Sequence, residues 1–124
     1  MFSDGGTVLL FTAAVHRSWE YTLDEGCLVI ERVSDRGRRV LHRLGMGDIE
    51  IVAKPDDPAV ARFRRGGGEK VPKYDYTSYR ENVPYYTVIA REDGRRIKLL
   101  LDLTPEAVAL IRTEMKRTLR HGNQ

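Results

Sequence analysis

Residues 85–103 read YYTVIAREDGRRIKLLLDL, and this stretch decides the fold class. Two runs rich in aromatic, β-branched and leucine residues, Tyr85–Glu92 and Arg96–Leu103, have the composition of strands. Between them, Asp93-Gly94 is a dipeptide that favours a two-residue hairpin turn, because both central positions of that turn take positive φ. The stretch therefore predicts an antiparallel hairpin.

The second arm of this hairpin alternates in polarity, as a half-buried strand does. Its apolar positions, expected to point inward, are Ile97, Leu99, Leu101 and Leu103. Its polar positions, expected to point outward, are Arg96, Lys98 and Asp102. The pattern predicts a sheet with one face against a core and one face toward water.

A helix is predicted directly after the hairpin. Thr104 can cap its N-terminus, Pro105 suits the first helical position, and Glu106 favours the positive end of the helix dipole. Apolar residues then recur at helical spacing and predict a buried stripe of Val108, Ile111, Met115 and Leu119. We expect the helix to cover about residues 105–120 and the tail after it to fray.

Several short strands are predicted before the hairpin. In chain order they are Arg17–Leu23, Cys27–Val33, Arg38–Leu44, Ile49–Ala53 and about residues 73–79. Asp24-Glu25-Gly26 predicts a tight turn between the first two, with Gly26 at positive φ. Residues 7–15 (TVLLFTAAV) fit a strand or a short buried helix, and we expect a strand. The chain thus has about seven strands, mostly linked by hairpins.

Residues 54–72 interrupt this pattern. Pro55 and Pro58 break the preceding strand, because proline cannot donate a hydrogen bond to a sheet. The stretch 59–70 (AVARFRRGGGEK) has one apolar turn and then three glycines. We expect an irregular insertion that forms a mobile surface loop within a single domain of residues 1–124.

The arrangement as a whole resembles a known family. The resemblance is carried by residues 19–33 (WEYTLDEGCLVIERV), residues 47–52 (GDIEIV), the hairpin of residues 85–103 and the helix from Thr104. These segments are similar to a bacterial pleckstrin-homology-like (PH-like) domain, and residues 75–90 (DYTSYRENVPYYTVIA) resemble a group of small bacterial proteins of this type. The resemblance implies an α+β fold with two packed antiparallel sheets, closed at one corner by the C-terminal helix.

The same resemblance raises the question of phosphoinositide binding. Lipid-binding PH domains resemble one another in placing Lys and Arg around their first hairpin loop. Here that loop is Asp24-Glu25-Gly26, whose two carboxylates would repel a phosphate. We therefore expect no phosphoinositide binding and no membrane association.

Composition and charge limit the class of protein. A chain of 124 residues that is 41% hydrophobic can bury a core without disulfides, and its single cysteine excludes an internal one. No run approaches the ~20 apolar residues that span a bilayer, and no basic residue precedes residues 7–15 as a secretory signal requires. We expect a cytoplasmic protein. The net charge of +3 is concentrated in residues 36–73, which hold ten basic and five acidic groups.

The sequence contains no recognisable catalytic motif. Cys27 lies inside a predicted strand, so we expect a buried structural thiol and not a nucleophile. His42 alternates with Val40 and Leu44, which predicts a partly buried, hydrogen-bonded histidine. The three histidines lack metal-ligand spacing, so we expect no metal and no cofactor.

Two segments are candidate binding regions. Basic residues stand beside aromatic ones at Arg62, Arg64, Arg65, Lys70, Lys73, Tyr74 and Tyr76. Single-stranded nucleic acid is bound by such combinations, with phosphates on the charges and bases on the rings. The alternative is that the arginines are only solvated and that the tyrosines pack within the sheet.

The second segment is the predicted loop of residues 80–84 with the tyrosines around it, Tyr79, Tyr85 and Tyr86. Such residues are enriched at protein interfaces, although Tyr86 could equally belong to the core.

Three functions therefore remain open. We expect a non-enzymatic interaction module that works through a protein partner or as a homo-oligomer. The first alternative is nucleic-acid binding through residues 59–73. The second is an enzyme whose site is assembled from scattered carboxylates and histidines.

Overall fold

The computed structural model describes residues 8–14, 18–63, 70–77 and 85–122, with side chains from residue 19 to residue 119 within those ranges. These residues form eight strands, two helices and one 3-10 turn, Met46–Asp48. The strands are β1 Val8–Ala14, β2 Ser18–Asp24, β3 Cys27–Ser34, β4 Gly37–Gly45, β5 Ile49–Ala53, β6 Lys73–Tyr76, β7 Tyr86–Glu92 and β8 Arg95–Leu101. The helices are α1 Pro58–Ala61 and α2 Pro105–Gly122. Residues 7–15 thus contain a strand, as expected.

The strands form two four-stranded sheets, the first in the order β1-β2-β3-β4 and the second in the order β5-β7-β8-β6. We call them sheet 1 and sheet 2. Neighbouring strands are antiparallel, except that β6 runs parallel to β8 over four residues. The predicted architecture, two packed sheets closed by one C-terminal helix, is confirmed, whereas the expectation of purely antiparallel pairing is wrong for β6.

The direction of β6 accounts for the long connection between β5 and β6. β5 is antiparallel to β7, which is antiparallel to β8, so β5 and β6 point in the same direction. Two strands of one direction in the same sheet need a crossover connection of a dozen or more residues. Residues 54–72 are that connection, and α1 lies within it.

The crossover carries part of the core, which corrects the prediction of a mobile loop for its first half. Val60 and Phe63 are 2% and 5% exposed, and they pack with Ala53 and Ile89 in a small second core. Asp57 caps α1 by accepting a hydrogen bond from the Ala59 backbone N–H. These side chains cover the outer face of sheet 2. The second half of the loop, residues 64–69, lies outside the described residues.

The main core lies between the sheets and α2. Its largest fully buried side chains include Tyr21, Leu28, Ile30, Leu44, Ile97, Leu99, Leu101, Leu103 and Ile111. Thr104 caps α2 as predicted, since its hydroxyl accepts the Ala107 backbone N–H at 3.1 Å.

Two of the three short hairpin turns in the described residues, β2–β3 and β7–β8, have the predicted geometry. Glu25 and Gly26 take φ values of 50° and 76°, and Asp93 and Gly94 take 53° and 83°. Positive φ at both central residues is the type I′ pattern, which matches the twist of antiparallel strands. These turns fix the registers of β2 with β3 and of β7 with β8.

Three side chains differ from their predicted surroundings. Asp102 is 1% exposed, because β8 ends at Leu101 and the alternation does not continue past it. Leu119 is 64% exposed, so the apolar stripe of α2 leaves the core before its last turns. Cys27 is only half-buried, because it begins β3 directly after the turn.

Candidate functional site

The tyrosines of β6 point into the molecule. Tyr74 and Tyr76, two residues apart on one strand, face the same side, and both pack against the main core. The ring centroid of Tyr76 lies 5.9 Å from that of Trp19, and the ring centroid of Tyr74 lies 4.7 Å from that of His42. They therefore follow the packing alternative and offer no free stacking platform for bases.

His42 connects the two sheets through both ring nitrogens. Its Nδ1 lies 2.9 Å from the Glu92 carboxylate, and its Nε2 lies 2.8 Å from the Tyr76 hydroxyl. At 5% exposure the ring is buried, so the prediction of a buried, hydrogen-bonded histidine is confirmed. We call Trp19, His42, Tyr74, Tyr76 and Glu92 the polar cluster.

One hydroxyl of the polar cluster, that of Tyr76, has a raised pKa. Burial raises its pKa to about 12, and nearby Tyr74 and Glu92 add to that rise. The phenol therefore keeps its proton at neutral pH, and the two hydrogen bonds of His42 join the Tyr76 hydroxyl to the Glu92 carboxylate. Both ring nitrogens of His42 and the Tyr76 hydroxyl thus have a partner.

Tyr21 extends this network deeper into the core. Its hydroxyl donates to the Tyr76 backbone carbonyl, and burial, with the Asp102 charge second, raises its pKa. Among the described residues no buried side-chain nitrogen or oxygen lacks a hydrogen-bond partner. The polar cluster thus ties β2 and β4 to β6 and β7, which suits a structural role.

A groove of about 660 Å³ opens at the N-terminal end of β6. It is lined by Lys70, Val71, Pro72, Arg91, Gly94, Arg95 and Arg96, and we call it the basic groove. One wall is the segment that enters β6, and the opposite wall is the end of the β7–β8 hairpin. The Lys98 backbone N–H donates to the Pro72 carbonyl at 2.9 Å and holds the two walls together.

Glu50 of β5 binds two arginines of the basic groove. Its carboxylate accepts hydrogen bonds from Arg96 Nε at 2.7 Å and from Arg96 Nη2 at 3.4 Å. Arg91 Nε lies 3.7 Å from the same carboxylate. The hydrogen bond from Arg96 lowers the pKa of Glu50, with Arg91 and Arg62 adding to the effect. Glu50 is therefore ionised at neutral pH.

The Phe63 ring packs against the arginine side chain of this ion pair. The guanidinium carbons of Arg62 and Arg96 lie 4.7 Å and 5.8 Å from its ring centroid. Lys98 Nζ also donates to the Phe63 backbone carbonyl at 3.4 Å. The buried crossover residue thus holds arginines in place by cation–π contact.

The cluster predicted from the sequence is divided between these places. Lys70 lines the basic groove, Arg62 stacks on Phe63, and Lys73 is exposed on β6. Tyr74 and Tyr76 belong to the polar cluster, and Arg64 and Arg65 lie outside the described residues. The sequence reasoning missed Arg91, Arg95, Arg96 and Glu50. Arginines on both sides of the Asp93-Gly94 turn were the available signal, because hairpin register places Arg91 opposite Arg96.

The second predicted segment is described only in part. Tyr79 and residues 80–84 lie outside the described residues. Tyr85 is 42% exposed, whereas Tyr86 is 7% exposed and belongs to the core, as the alternative expectation had it.

No three His, Cys, Asp or Glu side chains within the described ranges come together as a metal site would require. None of the helices described combines the length and apolar character needed to cross a bilayer.

Comparison with known proteins gives one family. No curated protein matches the chain, and no solved structure matches it either. A family model described as a bacterial PH-like domain (DUF6106) matches residues 6–121, nearly the whole sequence. The chain belongs to this family of bacterial PH-like domains.

Proposed function

We propose that the chain is a non-enzymatic interaction module that binds a protein partner at the basic groove. The observation that carries this proposal is the set of four cationic side chains, Lys70, Arg91, Arg95 and Arg96, around one open groove. The three arginines lie on a hairpin of fixed register, and the buried part of the crossover packs beside them. The surface is therefore preorganised for a partner.

The polar cluster supports a non-enzymatic role. A catalytic triad needs a nucleophile that its histidine can deprotonate and that a substrate can reach. Here the hydroxyl next to the histidine belongs to Tyr76, whose raised pKa of about 12 opposes ionisation. Neither the basic groove nor a second pocket, which is lined by residues such as Lys54, Tyr86 and Arg112, includes a residue of the polar cluster.

A pull-down from lysate of the native host tests the proposal. The wild type is compared with the double variant Lys70→Glu/Arg95→Glu, with and without nuclease treatment. The control Arg36→Glu/Arg39→Glu makes the same change in charge on exposed residues of sheet 1. We expect a protein that is captured by the wild type and the control, survives nuclease, and is lost with the groove variant.

Nucleic-acid binding is the second candidate, and the exposed Lys70 and Lys73 favour it. The inward packing of Tyr74 and Tyr76 counts against it, because bases would find charges without rings. Recovery that disappears with nuclease, or binding that weakens steeply with salt, would place this candidate first.

Self-association is the other form of a protein contact. β4 is one of the two edge strands of sheet 1, and its residues 37–40 are all exposed. Arg38 and Arg39 lie on that edge, and charged side chains are a common defence against edge-to-edge pairing. We therefore favour a different protein over a second copy, and light scattering at several concentrations distinguishes the two.

A further inference from the structure

Arg91 and Arg96 are directly opposite each other on neighbouring strands. Like charges in this position destabilise a sheet unless an opposite charge bridges them. The bridge here is Glu50, which hydrogen-bonds Arg96 at 2.7 Å and lies 3.7 Å from Arg91. The chain itself thus places one carboxylate on this arginine pair.

The remaining cations of the basic groove are not neutralised in this way. Within the part of the chain that the structure describes, Lys70 and Arg95 have no acidic partner. Both are exposed, and both line the groove together with Arg91 and Arg96. Arg95 is the register partner of Glu92, whose carboxylate binds His42. The four cations thus outnumber the two nearby carboxylates, and the surplus positive charge faces solvent.

We propose that the basic groove binds an extended acidic peptide segment, and that Glu50 competes with the carboxylates of that segment for Arg91 and Arg96. This inference rests on the proposed function and specifies the chemistry of the partner. Guanidinium groups pair with carboxylates through two parallel hydrogen bonds, and the Glu50–Arg96 pair already has this form. A neighbouring carboxylate of the same segment reaches Lys70 and Arg95. A groove of about 660 Å³ suits several side chains more than a single ion.

Three features favour a peptide over nucleic acid. The Phe63 ring is buried and is already in contact with two guanidinium groups, so no base can stack on it. The exposed Tyr85 precedes β7, whereas the groove lies at the other end of that strand, roughly 20 Å away at the usual rise per residue. Tyr74 and Tyr76, which follow the groove-lining residues along the chain, pack against the main core and are not available to bases.

Fluorescence anisotropy tests the inference with the full chain. The probe is a short labelled peptide in which Asp and Glu alternate with Ser and Gly. The comparison probes are the same peptide with Asn and Gln, and a single-stranded oligothymidine of equal charge. We expect the acidic peptide to bind best, to bind about tenfold more weakly to Lys70→Glu/Arg95→Glu, and to bind equally to Arg36→Glu/Arg39→Glu.

The most specific test is Glu50→Gln, because removal of a competing carboxylate should strengthen binding about threefold. A gain of affinity cannot come from misfolding. Glu20→Gln is the matched control, since Glu20 pairs with Arg38 at 2.7 Å on sheet 1. Its affinity for the peptide should remain that of the wild type.

Equal binding by all variants, weaker binding by Glu50→Gln, or a preference for oligothymidine would overturn the inference. The pull-down separates this failure from failure of the proposed function. A captured protein that depends on Lys70 and Arg95, with no affinity for acidic peptides, would leave the interaction module in place and remove the acidic partner.

Discussion

The polar cluster and the basic groove meet at two consecutive residues that belong to different sites. Glu92 shares a face of β7 with Val88 and Ala90 and binds His42 between the sheets. Arg91 points to the other face, with Ile89 of the second core, and lines the groove. Side chains alternate along a strand, so these two neighbouring residues point to opposite faces of sheet 2. One face carries the buried polar cluster, and the other carries the open, charged groove.

The difference lies in how each region satisfies its polar groups. The polar cluster pairs both ring nitrogens of the buried His42 internally, which stabilises one arrangement of the two sheets. The basic groove leaves Lys70 and Arg95 to water, which costs little in a monomer and keeps them available to a partner. Changes in the first region should act on stability, and changes in the second should act on binding.

The largest effect is expected at Phe63, which belongs to the second core and supports arginines of the basic groove. Phe63→Ala removes a ring that is 5% exposed, and large-to-small changes of this kind cost about 3 kcal/mol of the free energy of unfolding. It also removes the surface on which Arg62 and Arg96 rest, so peptide affinity should fall as well. Urea denaturation and anisotropy check both effects. A loss below about 1 kcal/mol would mean that the crossover does not support the fold.

His42→Ala should affect stability alone. It leaves the Tyr76 hydroxyl and the Glu92 carboxylate without their buried partner, at a cost of about 2 kcal/mol. Arg43→Ala is the control, because its pair with Asp24 is exposed and 3.7 Å long, and its loss should be below about 0.5 kcal/mol. Unchanged stability of His42→Ala would contradict a structural role for the polar cluster. Lost peptide affinity would show that the two regions are not separate.

Local features of this fold could be predicted from the sequence, whereas contacts between distant residues could not. The hairpin around Asp93-Gly94 and the helix cap at Thr104 are local signals, and both were predicted. The polar cluster and the groove join distant positions, since His42 and Glu92 are 50 residues apart and Glu50 and Arg96 are 46 apart. Which of these distant residues pair with each other depends on the assembled sheets.

The crossover is a second feature that the sequence predicted only in part. Proline and glycine in residues 54–72 correctly indicate an interruption of the strands. Nothing in that stretch indicates that β6 will run parallel to β8, and this direction is what lays Val60 and Phe63 over sheet 2. The prediction therefore had the strand count nearly right and missed that Val60 and Phe63, in the first half of the insertion, are buried.

A smaller effect is expected at alkaline pH. The pKa of Tyr76 is raised to about 12 from an ordinary value of 10.0, so the unfolded chain releases this proton first. The associated stability is complete below pH 10 and is lost as the pH rises from 10 through 12. Tyr76→Phe should lose less stability over this interval than the wild type, whereas the exposed Tyr85→Phe should behave like the wild type. Urea midpoints measured across the interval provide the test, and identical slopes for all three proteins would contradict it.

The most direct test of the account is a nuclear magnetic resonance titration of the ¹⁵N-labelled chain with the acidic peptide. We predict shifts of the backbone amides of Val71, Gly94 and Arg95, and no shift of the Trp19 indole N–H, which reports on the polar cluster. Shifts at Trp19 with none at Gly94 would contradict the assignment of binding to the basic groove and of structure to the polar cluster.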